Sequence, residues 1–78
     1  MNPITIFGRA GCGYCTRAVQ LAELKQLEFK YIDIHKEGIS KADLAKTIGK
    51  PVLTVPQIFH GKEHIGGYTE FAQFMHAQ

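Results

Sequence analysis

A chain of 78 residues has room for one domain, expected over 1–78, and a domain that small buries only about 60% of the surface its unfolded chain exposes. At 45% hydrophobic and 21% charged residues the composition is that of a globular protein and excludes disorder; the net charge of +2, from basic residues scattered between Arg9 and Lys62, argues against a nucleic-acid partner. No basic segment leads into an apolar stretch at the start, and no apolar run is long enough to cross a bilayer, so a cytoplasmic location without a membrane partner is expected.

Ile4-Thr5-Ile6-Phe7 is β-branched and aromatic and stops at Gly8, which predicts a strand. Gly11 and Gly13 mark a loop around Cys12. From about residue 14 to residue 27, Ala18, Val19, Ala22 and Leu24 recur at helical spacing, with Leu21 and Leu27 beside them. Arg17, Gln20, Glu23 and Lys25 fill the other face, so a helix packed on a flat surface is expected. Residues 29–34 read as a second strand.

Ser40 suits a helix N-cap, and Asp43 three residues later puts a carboxylate in the first turn. Leu44, Ala45 and Ile48 then form a short apolar stripe, Gly49 suits a left-handed cap, and Pro51 bars continuation. Gln57-Ile58-Phe59 is a third strand, Gly61-Lys62 a turn, and His64-Ile65 opens a fourth strand, which makes a hairpin. Thr69 is expected to cap a last helix carrying Phe71, Phe74 and Met75. The order βαβαββα belongs to the α/β class. It implies a right-handed first crossover and a mixed sheet of about four strands covered by about three helices.

The two cysteines stand as Cys12-Gly13-Tyr14-Cys15. In a reducing compartment such a pair is not expected to be a permanent staple; its spacing points to redox or metal chemistry. Cys12 falls just before the first helix and Cys15 one turn inside it. A helix N-terminus carries about half a positive charge and unpaired N–H groups, both of which favour a thiolate at Cys12. Arg9 adds to that field. Such surroundings lower a thiol pKa from about 8.5 into the range of roughly 3.5–7.5. Cys12 is thus expected to attack and Cys15 to resolve the mixed disulfide formed there. Gly11 and Gly13 argue for an exposed loop and against an inert buried pair. His60 and His64 have a spacing found in zinc fingers, but the gap from Cys15 to His60 is too long for one, so no metal is expected.

Beside the cysteine motif stand Ile6-Phe7 leading to Arg9, Thr54-Val55-Pro56-Gln57-Ile58-Phe59, and Ile65-Gly66-Gly67-Tyr68. With these the chain resembles the glutaredoxins over nearly its whole length. The resemblance implies the minimal thioredoxin fold with a cis Val55–Pro56 bond. It implies a glutathione site built from Arg9, Tyr14, Lys41, Thr54, Val55, Pro56, Gly67, Tyr68, Thr69 and Glu70. In that site the Val55 backbone would pair with the cysteine part of glutathione as an added strand does. Tyr14 would flank the disulfide, and Arg9 and Lys41 would face one carboxylate end. Gly67 would permit close backbone approach, and the Tyr68 and Thr69 amides would take the glutamyl carboxylate.

Three departures from the family pattern stand out. Gly13 replaces a proline common in similar dithiol proteins, Glu70 replaces an aspartate, and Lys50-Pro51-Val52-Leu53 lengthens the segment after Gly49. The implied activity is glutathione-dependent reduction of protein disulfides and glutathione mixed disulfides. Glutathione would serve as co-substrate, with no bound cofactor. Disulfide proteins such as ribonucleotide reductase are the implied partners, and the protein is expected to be a monomer. Two rival expectations are a thioredoxin-like hydrogen donor reduced by a flavoprotein reductase and an iron–sulfur cluster carrier.

Overall fold

The computed structural model describes residues 3–52 and 54–76. Strand β1 (Ile4–Gly8) alternates buried and half-buried positions, as a strand covered on both faces requires. It pairs in parallel with β2 (Phe29–Asp33) and antiparallel with β3 (Gln57–His60), and β3 pairs antiparallel with β4 (Glu63–Gly66). The sheet order is β2-β1-β3-β4. Helix α1 (Gly13–Leu24) makes the crossover between β1 and β2; α2 (Lys41–Ile48) and α3 (Tyr68–His76) complete the βαβαββα order.

Successive strand residues point to opposite faces, and two apolar clusters follow. Ile4, Ile6 and Ile58 pack with Ala18 and Ala22 of α1 and with Phe71 and Met75 of α3. Phe7, one position out of phase with Ile6, packs instead in the cluster of Ile34, Leu44 and Val52, where α2 lies. This is the minimal thioredoxin fold anticipated above.

Helix α1 ends at Leu24, short of residue 27. Gln26 takes a left-handed conformation (φ +56°), and the Leu27 N–H donates back to the Ala22 carbonyl at 3.0 Å. Leu27 therefore packs against the first cluster from beyond the helix. Leu24 is 77% exposed. Cys15, Ala18 and Ala22 define the buried face, and a residue two places past Ala22 points to nearly the opposite side. The second strand stops at Asp33, although Ile34 is buried and its N–H still reaches the Gly8 carbonyl at 2.8 Å.

The final helix begins at Tyr68, so Thr69 is not its cap. The Phe71 N–H donates to the Gly67 carbonyl at 3.0 Å and closes the first turn. Gly67 thus stands at the cap position, and the Glu70 carboxylate reaches back to accept its N–H at 2.8 Å, the reciprocal half of a capping box. Leu53, in the lengthened segment, lies outside the described residues.

The ends of α2 follow the sequence reading. Ser40 Oγ accepts the Asp43 N–H at 3.0 Å, and the Asp43 carboxylate accepts the Ser40 N–H at 2.9 Å. Gly49 closes the helix at φ +83°. The two bonds with Ser40, backbone first, and then Lys46 hold the Asp43 carboxyl below its usual pKa. A depressed native pKa contributes stability that is present above the unfolded value of 3.8 and is lost as pH falls through the native one. Asp43→Asn is therefore expected to lower the melting temperature at neutral pH, with the gap closing below pH 3.8. Calorimetry of both proteins across pH 2–7 (about that range) checks this. A gap that persists undiminished in acid would exclude the carboxylate as its source.

Candidate functional site

Cys12 is the N-cap of α1, with extended backbone (φ −96°, ψ 111°), and its Sγ accepts the Cys15 N–H at 3.2 Å. Its carbonyl takes the Thr16 N–H at 3.1 Å and the Thr16 hydroxyl at 3.2 Å. A sulfur thus occupies the place where Ser, Thr or Asp caps other helices, facing the donors that favour negative charge. Cys12 and Cys15 are joined as a disulfide with Cα atoms 5.2 Å apart. Cys12 is half-buried, whereas Cys15 is 1% exposed. A nucleophile from solvent therefore meets Cys12 first.

The Cys12 sulfur lies 3.7 Å from the Val55 carbonyl oxygen, and the Val55–Pro56 peptide bond is cis. The loop before β3 thus lies against the sulfur. Its preceding carbonyl, that of Thr54, accepts the Gln57 side-chain N–H at 2.9 Å, and the Gln57 side-chain oxygen meets His64 Nε2 at 2.7 Å. Because the Gln57 nitrogen donates to Thr54, its oxygen must accept, so His64 carries its hydrogen on Nε2. Burial, and Lys50 beside it, push the His64 pKa down while Glu70 pulls the other way, which favours the neutral ring this bond uses. In sequence Gln57 reads only as a strand residue and His64 only as the start of the next strand. Their side-chain bond depends on β3–β4 pairing, which no local signal records.

A cleft of about 270 Å³ opens beside this loop. It is lined by Thr54, Val55 and Pro56, by Tyr14 of α1, and by Gly67, Tyr68, Thr69 and Glu70 at the start of α3. The Tyr14 and Tyr68 rings are 6.0 Å apart, and the Arg17 guanidinium sits 5.4 Å from the Tyr14 ring. The Tyr68 and Thr69 amides belong to a helical first turn, whose N–H groups have no carbonyl of the helix ahead of them. Arg9, in the loop after β1, and Lys41, the first residue of α2, are exposed and do not line the cleft.

The Cys15 sulfur lies over Gly8. A Cβ at Gly8 would stand 2.9 Å from Cys15 Sγ and 2.8 Å from the Tyr31 hydroxyl oxygen, so only glycine fits there. His60 packs against Phe74 at 5.1 Å and His64 against Phe59 at 5.2 Å. Among the described residues no group of three His, Cys, Asp or Glu is arranged to hold a metal ion, and no helix is long and apolar enough to cross a membrane.

Comparison with known proteins puts this geometry in context. The family model described as Glutaredoxin matches residues 4–65. Glutaredoxin 1 of Salmonella typhimurium is 62% identical over 71 residues, covering 85% of this chain and 82% of that protein. The solution structure of reduced Escherichia coli glutaredoxin superposes with a TM-score of 0.86 at 49% identity, covering 97% of this chain and 95% of that one. A buckwheat glutaredoxin solved as a complex with glutathione superposes with a TM-score of 0.81 at 29% identity, covering 97% of this chain and 70% of that one. A helix-capping disulfide beside a cis-proline loop, on this sheet and at this level of identity, leaves no other assignment: the chain belongs to the glutaredoxin family, whose general activity is glutathione-dependent thiol–disulfide exchange.

Proposed function

We propose that Cys12 is the attacking thiolate, that Cys15 resolves the protein-linked intermediate, and that the cleft between the cis-proline loop and the start of α3 binds glutathione. The observation that carries this reading is the Cys12 sulfur itself, which caps α1 through the Cys15 N–H and lies beside the Val55 carbonyl. In the reduced protein the Cys12 thiolate attacks a protein disulfide or a glutathione mixed disulfide. The new S–S bond forms at Cys12 and the electron pair leaves on the departing thiolate. With a protein partner, Cys15 attacks Cys12 Sγ and closes the disulfide. Glutathione then opens it, and a second glutathione frees Cys12.

Glutathione lies along Val55 in this reading. Its glutamyl carboxylate meets the Tyr68 and Thr69 amides, and its other end is drawn by the exposed charges of Arg9 and Lys41. The buckwheat complex, of the same fold, supports glutathione as the ligand. Two clusters on the faces of a single sheet support one domain. A compartment rich in glutathione, the cytoplasm, is where such a reductant cycle runs. Protein disulfides are the second substrate, with ribonucleotide reductase a candidate among them.

The test is charge reversal. Each exposed basic contact is worth at most about 1 kcal/mol, and Arg9→Glu with Lys41→Glu turns attraction into repulsion. The double variant is expected to raise the glutathione KM several-fold in an assay coupled to glutathione reductase. Added salt should weaken wild-type glutathione use more than the variant's, since screening acts on the charges removed. Alkylation rates of Cys12, measured alongside, separate this effect from a change in thiol acidity. Wild-type KM in the double variant at low salt would rule out the proposed orientation.

A further inference from the structure

Cys15 is the sulfur that receives the electron pair when the disulfide opens and attacks with it when the disulfide closes, yet the Cys15 N–H at the head of α1 is bonded to Cys12 Sγ. The end of Tyr31 stands across the missing Gly8 side chain from the Cys15 sulfur. A Cβ on Gly8 would stand 2.9 Å from Cys15 Sγ, 2.8 Å from the Tyr31 hydroxyl oxygen and 2.9 Å from Tyr31 Cε1. Sulfur and phenol therefore share the small space left by the missing side chain.

The strand register explains how they meet. Tyr31 pairs with Ile6, and Asp33 pairs with Gly8. Strand residues two apart face the same side, so Ile4, Ile6, Gly8 and Tyr31 all turn toward α1. Strand side chains lean along the strand, which brings the phenol from the level of Ile6 to that of Gly8.

Opening of the disulfide creates a charge at this spot. A glutathione thiolate attacks Cys12 Sγ, a new S–S bond joins glutathione to Cys12, and the electron pair of the broken bond leaves on Cys15. A thiolate in a buried position is costly without a donor, and a leaving thiolate that is better stabilised departs faster. We propose that the Tyr31 hydroxyl donates the hydrogen bond that receives the Cys15 thiolate, and that it holds the same sulfur when Cys15 attacks a mixed disulfide at Cys12. This rests on the assignment of the two cysteines given above. Burial first, and the charge of Asp33 second, hold the phenol above its ordinary pKa, so the hydroxyl keeps the hydrogen it donates. Gly8 acquires a purpose as well: any side chain there would fill the place where oxygen and sulfur approach.

Tyr31→Phe keeps the ring and removes the oxygen. The oxidised protein is mixed with excess glutathione, quenched with acid and alkylated, and the opened disulfide is counted by mass. The opening rate is expected to fall roughly ten-fold, the size of one hydrogen bond to a charged acceptor. The same substitution is then placed in Cys15→Ser, where turnover of a glutathione mixed disulfide never forms a Cys15 thiolate. There no change is expected. An undiminished opening rate, or an equal loss in both backgrounds, would overturn the proposal. An inactive Cys15→Ser parent would overturn the cysteine assignment, and the role of Tyr31 with it, before Tyr31 is touched.

Discussion

Cys12→Ser is expected to abolish reductase activity on every substrate, whereas Cys15→Ser is expected to keep turning over glutathione mixed disulfides and to lose most activity on protein disulfides. The asymmetry follows from position. Cys12 caps α1 and is half-buried beside the cleft; Cys15 is sealed beneath it, over Gly8. Serine at position 12 leaves no thiol that can start exchange, because the chain has only two cysteines and the other is out of reach of substrate. Serine at position 15 leaves the nucleophile and the cleft intact, and glutathione can resolve what Cys12 captures. In that variant the Cys12 thiol is expected to titrate below the free-thiol value of about 8.5, because it faces the backbone N–H of position 15, which serine keeps, and the positive end of α1. The checks are a coupled assay with a small glutathione mixed disulfide, a second assay with a protein disulfide, and the pH dependence of alkylation. Complete loss in both variants on the small substrate would contradict the division of roles.

Phe71→Ala is expected to cost about 3–5 kcal/mol of folding free energy, out of a total that for a small domain lies near the low end of about 5–15 kcal/mol. Phe71 is fully buried among Ile4, Ile6, Ala18, Ala22, Ile58 and Met75, so it joins α3 to α1 and to both central strands. Its N–H also closes the first turn of α3 onto Gly67. The cavity left by alanine would therefore loosen the turn that carries Tyr68, Thr69 and Glu70 to the cleft. Urea titration followed by tyrosine signal or circular dichroism measures the loss. The KM for glutathione is expected to rise in conditions where the variant is still folded. Phe74→Ala, at a half-buried position on the same helix, is expected to cost clearly less. A loss below about 1 kcal/mol at Phe71, the scale of an ordinary surface change, would mean that α3 is not seated as described.

Local chemistry was enough for much of this protein. The β-branched and aromatic run Ile4-Thr5-Ile6-Phe7, stopping at Gly8, implied a strand. Ser40, Asp43 and Gly49 implied both ends of α2, because caps are satisfied by residues three or four positions away and need nothing else. The Cys-x-x-Cys spacing beside a helix start implied redox chemistry for the same reason. Helix ends were legible only where a cap is local. Leu24, apolar like Ala18 and Ala22, is exposed because its angle around the helix is nearly opposite that of Ala22. The start of α3 was misplaced by two residues, because Gly67 caps it with Glu70 bonding back, a role that polar Thr69 seemed to fit better. Tertiary structure alone decided the rest. It brought Tyr14, the Thr54–Pro56 loop and the head of α3 around one cleft, and left Arg9 and Lys41 off its lining. It joined His64 and Gln57 to the Thr54 carbonyl. It brought the end of Tyr31, from the neighbouring strand, and the Cys15 sulfur to the same gap at Gly8. Each of these meetings depends on strand register or on helix-to-sheet packing. Such contacts join residues far apart in the chain, where periodicity and spacing hold no record of which side chains will touch.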